Sequence, residues 1–158
     1  MIRSKKRIWI CTILLLANLA LIWGNSMLPA TQSDKVSGSL LKALVDLLQI
    51  SESLRGILHL LLRKAAHFTE FACLGLLLTW LRGMNRKKLA AIFPVLGGLT
   101  VALVDETIQG FVPGRTPMVT DVLIDTAGAF FGMLVLLGGY HLYKRIKSKH
   151  LNILEETT

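Results

Sequence analysis

The feature that most constrains this sequence is a series of long apolar runs, each bordered by a short basic cluster. The first run, residues 8–28, contains only four polar side chains, Thr12, Asn18, Asn25 and Ser26. A helix needs about 20 mostly apolar residues to cross the ~30 Å hydrocarbon layer. The whole chain is 53% hydrophobic and 18% charged, against about 25% charged in soluble domains. This composition predicts an integral membrane protein and argues against a soluble enzyme or a disordered chain.

The runs predict an all-α fold, a single domain over residues 1–158 built as a bundle of four transmembrane helices. The predicted spans cover residues 8–28, 57–81, 89–109 and 119–143. Between the first two, leucines recur at helical spacing over residues 40–48. That segment is too short to span, so we expect a short amphipathic helix lying in the membrane interface.

The basic clusters predict the orientation of the bundle. Four basic residues precede the first run, four separate the second from the third, and four follow the last (Arg3, Lys5, Lys6, Arg7; Arg82, Arg86, Lys87, Lys88; Lys144, Arg145, Lys147, Lys149). With four spans, all three clusters fall on one side, and excess Lys and Arg marks the cytoplasmic side. Both termini are therefore expected in the cytoplasm, and clustering between apolar runs disfavours nucleic acid as a partner. Leu28-Pro29-Ala30 is a poor signal-peptidase site, so we expect the first run to stay as an anchor.

Most ionisable residues in or beside the spans then fall on the outer half of the bundle. Such groups are costly in hydrocarbon and usually face a bundle interior or a wet cavity. We therefore expect an outward polar pocket, closed by a loop whose Pro113-Gly114 indicates a turn. Asp105 and Glu106 are adjacent and point about 100° apart on a helix. We expect Asp105, which shares a face with Gln109, to face this pocket. Gly128-x-x-x-Gly132 is typical of close helix–helix contact.

The residue types in the pocket allow several roles. If the protein is an enzyme, the predicted catalytic residues are His67, as acid or base, and Asp105. The predicted ligand-binding residues are Lys64, Arg115, Glu106, Gln109, Asp121, Asp125 and Ser26. Basic side chains here can bind an anionic headgroup, or Lys64 and Arg63 can snorkel while Arg115 pairs with Asp121. No cofactor is predicted. No metal is predicted either, since no typical ligand spacing occurs, and a cation among His67 and the three aspartates is the less favoured alternative. Both cysteines, Cys11 and Cys73, lie in apolar runs, and no disulfide is expected.

Several motifs in order resemble the VanZ-like family. They are Asn25-Ser26-x-x-Pro29, Lys64-Ala-Ala-His67-Phe68-x-x-Phe71, Asp105-Glu106-x-x-Gln109-x-Phe111-x-Pro113-Gly114-Arg115, and Asp121-Val122 with Gly128 beyond. The resemblance implies a small multi-pass protein of the bacterial cell membrane, in a family whose founding member is linked to teicoplanin resistance. Two positions depart from the family pattern: Phe71 stands where relatives often have Tyr, and Asp125 where many have Asn.

Three functions remain open on the sequence alone. The first is an envelope factor that binds an anionic lipid or lipid-linked molecule at the outer leaflet and influences glycopeptide susceptibility. The second is a membrane enzyme that transfers or hydrolyses a phosphate or acyl group on a lipid-linked substrate. In the third, the charges only hold the bundle together. The sequence does not determine the oligomeric state.

Overall fold

Four α helices form the part of the chain that the structure describes. The structure is a computed structural model, and it describes residues 5–29, 31–32, 38, 42, 45, 47, 51, 54–83 and 88–156. The helices are α1 (Lys5–Met27), α2 (Arg55–Arg82), α3 (Lys88–Gly110) and α4 (Val119–Glu156), and these ranges contain no strand. They match the four predicted segments in number and order. The predicted amphipathic helix of residues 40–48 lies largely outside the described residues.

Three of these helices are long and apolar enough to cross a membrane: α1, residues Ile92–Gly110 of α3, and residues Val119–Lys149 of α4. Their outer surfaces carry large apolar side chains, such as Trp9, Leu16 and Leu103, that are more than half exposed. In lipid such surfaces are in contact with acyl chains and carry no penalty. The protein is therefore a multi-pass membrane protein.

The second helix is the exception among the four predicted spans. α2 has 28 residues, which is long enough, but its first half carries His59, Arg63, Lys64 and His67. These side chains keep α2 outside the group of helices that are apolar enough to span. α2 nevertheless packs against all three other helices, and these four polar side chains are partly buried.

Small residues bring α2 and α4 into direct backbone contact. A Cβ on Gly132 would lie 1.8 Å from the carbonyl oxygen of Ala72, and a Cβ on Gly128 would lie 2.5 Å from that of Phe68. On the opposite helix, a Cβ on Gly75 would lie 1.9 Å from the carbonyl oxygen of Ala129. The predicted close contact at Gly128 and Gly132 is confirmed.

The apolar core lies where α1, α2 and α3 meet. Ile22, Phe71, Leu74 and Ala102 are almost fully buried there. Phe71 follows His67 by one helical turn, so the core adjoins the polar residues at the same end of α2. Neither cysteine forms a disulfide, and the thiol of Cys11 donates to the carbonyl of Leu77 at 3.4 Å.

Glycines with positive φ shape two connections. Gly83, with φ of 84°, ends α2 by donating its N–H to the carbonyls of Thr79 and Trp80. Gly114, with φ of 78°, follows Pro113 in a turn closed by the Arg115 N–H on the carbonyl of Val112 at 3.1 Å. This Pro-Gly arrangement is that of a type II turn, which confirms the turn prediction.

The last helix runs 13 residues past its predicted end at 143, to Glu156. The added residues are rich in lysine, arginine and leucine and contain no glycine or proline. They are good helix formers, so the helix continues where the apolar stretch ends.

Candidate functional site

The polar site forms where the ends of α1 and α3 meet the middle of α2 and the beginning of α4. Asp105 of α3 is fully buried at its centre. The Ser26 hydroxyl donates to Asp105 Oδ1 at 2.6 Å, and Gln109 Nε2 donates to Oδ2 at 2.8 Å. Gln109 also approaches Ser26 Oγ at 3.4 Å. These bonds fix the carboxylate of Asp105 and join α1 to α3.

A second polar connection joins α1 to α2. Asn25 Nδ2 donates to Glu70 Oε1 at 2.5 Å, and Asn18 Nδ2 donates to the backbone carbonyl of Glu70 at 3.3 Å. Sequence reasoning gave Asn18 no role. A buried amide within an apolar run was the available signal, because such groups in a membrane need a hydrogen-bond partner.

An ion pair joins α2 to α4 on the more open side of the site. Lys64 Nζ binds Asp121 Oδ1, and the two side chains are 26% and 22% exposed. Asp121 therefore pairs with Lys64. Ion pairs near a protein surface contribute at most about 1 kcal/mol, so this partly buried contact orients Lys64 more than it stabilises the bundle.

Arg115 anchors the loop between α3 and α4 to the end of α1. Its Nε donates to the carbonyl of Leu28 at 3.2 Å, and Nη2 donates to that of Asn25 at 3.0 Å. Carbonyls at a helix C-terminus lack partners within the helix and attract positive charge. Arg115 thus satisfies them and closes the loop over the site.

A pocket opens beside this network, between α2 and α4. Its walls are formed by Arg63, Lys64, His67, Glu106, Asp121, Ile124 and Asp125. The enclosed space is about 10 Å³, roughly room for one water molecule. Five of the predicted site residues thus share one pocket, and Ser26, Asp105 and Gln109 form the hydrogen-bonded group behind it.

Glu106, and not Asp105, lines the pocket. Glu106 lines the pocket, where its Oε2 accepts the N–H of Met118 at 2.7 Å. Asp105 is turned toward Ser26 and Gln109. The expectation that Asp105 rather than Glu106 faces the pocket was wrong, because neighbouring helical residues point about 100° apart and Asp105 is held by Ser26 and Gln109.

His67, Asp105 and Asp125 come together at the inner wall. One potential ligand atom from each lies within 4.8 Å of the other two. Asp125 is 1% exposed, and neither of its carboxylate oxygens has a hydrogen-bond partner among the described residues. Nδ1 of His67 is also buried without such a partner. The arrangement combines an imidazole and two carboxylates, groups that can move protons or bind a cation.

Comparison with known proteins agrees with these motifs. The model of the VanZ/LLP1 family matches residues 9–142, which include all four helices through most of α4. No curated protein and no solved structure shows significant similarity to the chain. Because the match covers most of the sequence and every residue of the polar site, the chain belongs to the VanZ/LLP1 family.

Proposed function

We propose that this chain is a four-span protein of the bacterial cell envelope that binds an anionic headgroup at the outer leaflet. The ligand is a membrane lipid or a lipid-linked envelope molecule, and the shared chemistry is a phosphate group. Through this binding the protein would influence susceptibility to glycopeptides such as teicoplanin. Both termini would lie in the cytoplasm.

The proposal rests on the absence of a hydrogen-bond or ion-pair partner for Arg63 among the described residues. Its side chain lines the pocket, yet it makes no hydrogen bond or ion pair with any residue that the structure describes. Lys64 beside it is held by Asp121. An arginine can bind a phosphate through two parallel N–H donors, so Arg63 is the cation available to a ligand.

The small size of the pocket argues against a whole antibiotic as the ligand. Pockets that enclose drug-sized ligands usually measure about 300–1,000 Å³, whereas the enclosed space here is about 10 Å³. A phosphate would therefore bind at the open mouth of the pocket beside Arg63, with the acyl chain of a lipid outside along α2 and α4.

The proposed orientation predicts the side on which each loop lies. A reporter fused after Leu81 should report a cytoplasmic position, and one fused after Gly114 an external position. The reason is that the basic cluster after α2 stays inside, while α2 and α3 together cross the membrane twice. Paired fusions to alkaline phosphatase and green fluorescent protein distinguish the two sides. Opposite locations would contradict an outward pocket.

Binding can be tested directly with Arg63→Gln. We expect it to weaken binding of undecaprenyl phosphate by about 10–100-fold, since a hydrogen bond to a charged group contributes about 1.5–3 kcal/mol. Native mass spectrometry of the purified protein measures the bound fraction, with phosphatidylglycerol as a second probe to separate a lipid-linked carrier from an ordinary lipid. Arg145→Gln is the control, because Arg145 is exposed and lies far along α4.

The same variants connect binding to the proposed effect in cells. In a susceptible bacterial host, expression of the wild-type chain should change the minimal inhibitory concentration of teicoplanin, and Arg63→Gln should remove that change at equal protein abundance. Equal lipid binding by Arg63→Gln and Arg145→Gln would contradict the proposal. A loss of protein abundance without loss of function per molecule would favour a purely structural role for the charges.

A membrane-embedded enzyme is the second candidate function, and the position of His67 favours it. His67 lines the pocket and lies close to the fixed carboxylate of Asp105, so it could exchange a proton with a phosphate or acyl substrate. His67→Gln separates the two functions. A catalyst should lose its effect in cells while retaining lipid binding, whereas a binding protein should keep both.

A further inference from the structure

We propose that His67, Asp105 and Asp125 form a binding site for a divalent metal ion of the zinc class. The three ligand atoms come from three helices, α2, α3 and α4, and lie within 4.8 Å of one another. Zinc binds histidine nitrogen and carboxylate oxygen at about 2.0–2.2 Å, so two ligands of one tetrahedral ion are about 3.3–3.6 Å apart. Shortening the distances between the three atoms by at most about 1.5 Å through side-chain movement would therefore complete the site.

The unpartnered carboxylate of Asp125 is the second observation. Buried carboxylates are normally hydrogen-bonded or paired, because an isolated charge in a low-dielectric interior is very costly. Asp125 is 1% exposed and both its oxygens lack a hydrogen-bond partner among the described residues. It points into a cluster that already contains Asp105. A cation bound between the two would satisfy both carboxylates.

The neighbouring hydrogen bonds suit a metal ligand. Ser26 and Gln109 each occupy one lone pair on the carboxylate of Asp105, and each oxygen retains a second. Groups that hold a ligating side chain in this way orient it for the ion and strengthen binding. Ser26 and Gln109 are therefore positioning residues for Asp105 in this site.

The donor types select the class of ion. Mg²⁺ and Ca²⁺ take oxygen ligands almost exclusively, whereas an imidazole nitrogen with carboxylates suits zinc and similar transition metals. Three protein ligands leave a fourth position of a tetrahedral ion open. Because His67 and Asp125 also line the pocket, that open position faces the same space as Arg63.

The charges around the pocket also favour a cation. This argument does not require the phosphate ligand proposed above. The pocket walls carry two basic side chains, Arg63 and Lys64, against three carboxylates, and Asp105 lies behind them. A divalent cation would offset this surplus of negative charge.

Metal binding by the purified full-length protein tests the site. We expect one Zn²⁺ per chain in equilibrium dialysis followed by elemental mass spectrometry, using protein in detergent with no polyhistidine tag. Asp125→Asn and His67→Gln should each weaken binding by at least about tenfold, the lower end of what loss of a supporting group costs. Millimolar Mg²⁺ should not displace the zinc. Glu70→Gln is the matched control, since it removes a neighbouring carboxylate of α2 outside the cluster and should bind as the wild type does.

A thermal shift keeps the proposal testable if one variant folds poorly. Zn²⁺ should raise the unfolding temperature of the wild type and of Glu70→Gln, because an ion that binds only the folded state stabilises it. The rise should vanish in His67→Gln and in Asp125→Asn. Absence of stoichiometric zinc in the wild type would overturn the site, as would wild-type binding by both variants or an equal loss in Glu70→Gln. Arg63→Gln should retain zinc even if it loses the phosphate ligand, so failure of either proposal can be recognised separately.

Discussion

Replacing Gly132 with alanine should prevent the tight association of α2 and α4. The new methyl group would lie 1.8 Å from the carbonyl oxygen of Ala72, which is backbone and cannot rotate away, so the helices must separate. We expect a loss of about 3 kcal/mol or more in the free energy of unfolding, at or above the upper end for overpacked sites. The unfolding temperature and the monodisperse fraction on size-exclusion chromatography measure this loss.

Gly138→Ala is the matched control for that substitution, since it makes the same change in the same helix. A Cβ at Gly138 has no heavy atom within 4 Å, and alanine favours the helix by up to about 1 kcal/mol over glycine. This variant should therefore be as stable as the wild type or slightly more so. Equal unfolding temperatures for Gly132→Ala and Gly138→Ala would show that the helices do not meet at Gly132.

Asp105→Ala should produce the second large effect, through the hydrogen bonds that join α1 to α3. The substitution leaves Ser26 Oγ and Gln109 Nε2 without their acceptor in a buried site. Each unsatisfied buried group costs about 1–3 kcal/mol, so we expect a total loss of about 3 kcal/mol in the free energy of unfolding. Thermal unfolding of the protein freed of metal measures the structural contribution alone.

Two comparison variants define the cause of that loss. Asp105→Asn keeps an acceptor oxygen for Ser26, and its amide can donate to a reoriented Gln109, so it should lose much less stability than Asp105→Ala. Thr107→Ala changes an exposed side chain of the same helix and should change stability by less than about 0.5 kcal/mol. If Asp105→Asn is as unstable as Asp105→Ala, the charge itself rather than the hydrogen-bond pattern holds the helices together.

The helices could be predicted from the sequence because a bilayer allows few alternatives. Backbone groups in hydrocarbon must be satisfied within the segment, so a long apolar run such as residues 8–28 implies a helix. The sequence motifs also identified the family correctly. The end of α4 could not be predicted in this way, because residues 144–156 continue the helix without being apolar. The predicted span in α2 remains a proposal, since its polar first half masks the signal.

Most residues of the site could be predicted from the sequence, but the contacts between them could not. Once the spans are arranged antiparallel, His67 and Asp125 must lie at the same end of the bundle, and the structure places both on one pocket. The choice of Asp105 over Glu106 was wrong, and the pairing of Lys64 with Asp121 was not foreseen. Both depend on how far each helix is rotated about its axis, which one sequence does not specify.

The sequence by itself determined that this chain is a helical membrane protein of the VanZ/LLP1 family, and it predicted that the polar residues of the site gather toward the end of the bundle opposite the basic clusters. The length of each apolar run is enough to predict a membrane-spanning helix, because each run can cross the bilayer without regard to the others. Only the tertiary structure decided that Asp125 is buried without a partner beside His67 and Asp105, and that Arg115 is used to hold α1. Those contacts join residues up to 90 positions apart, and the close approach at Gly75 and Gly132 sets the rotation that brings them together.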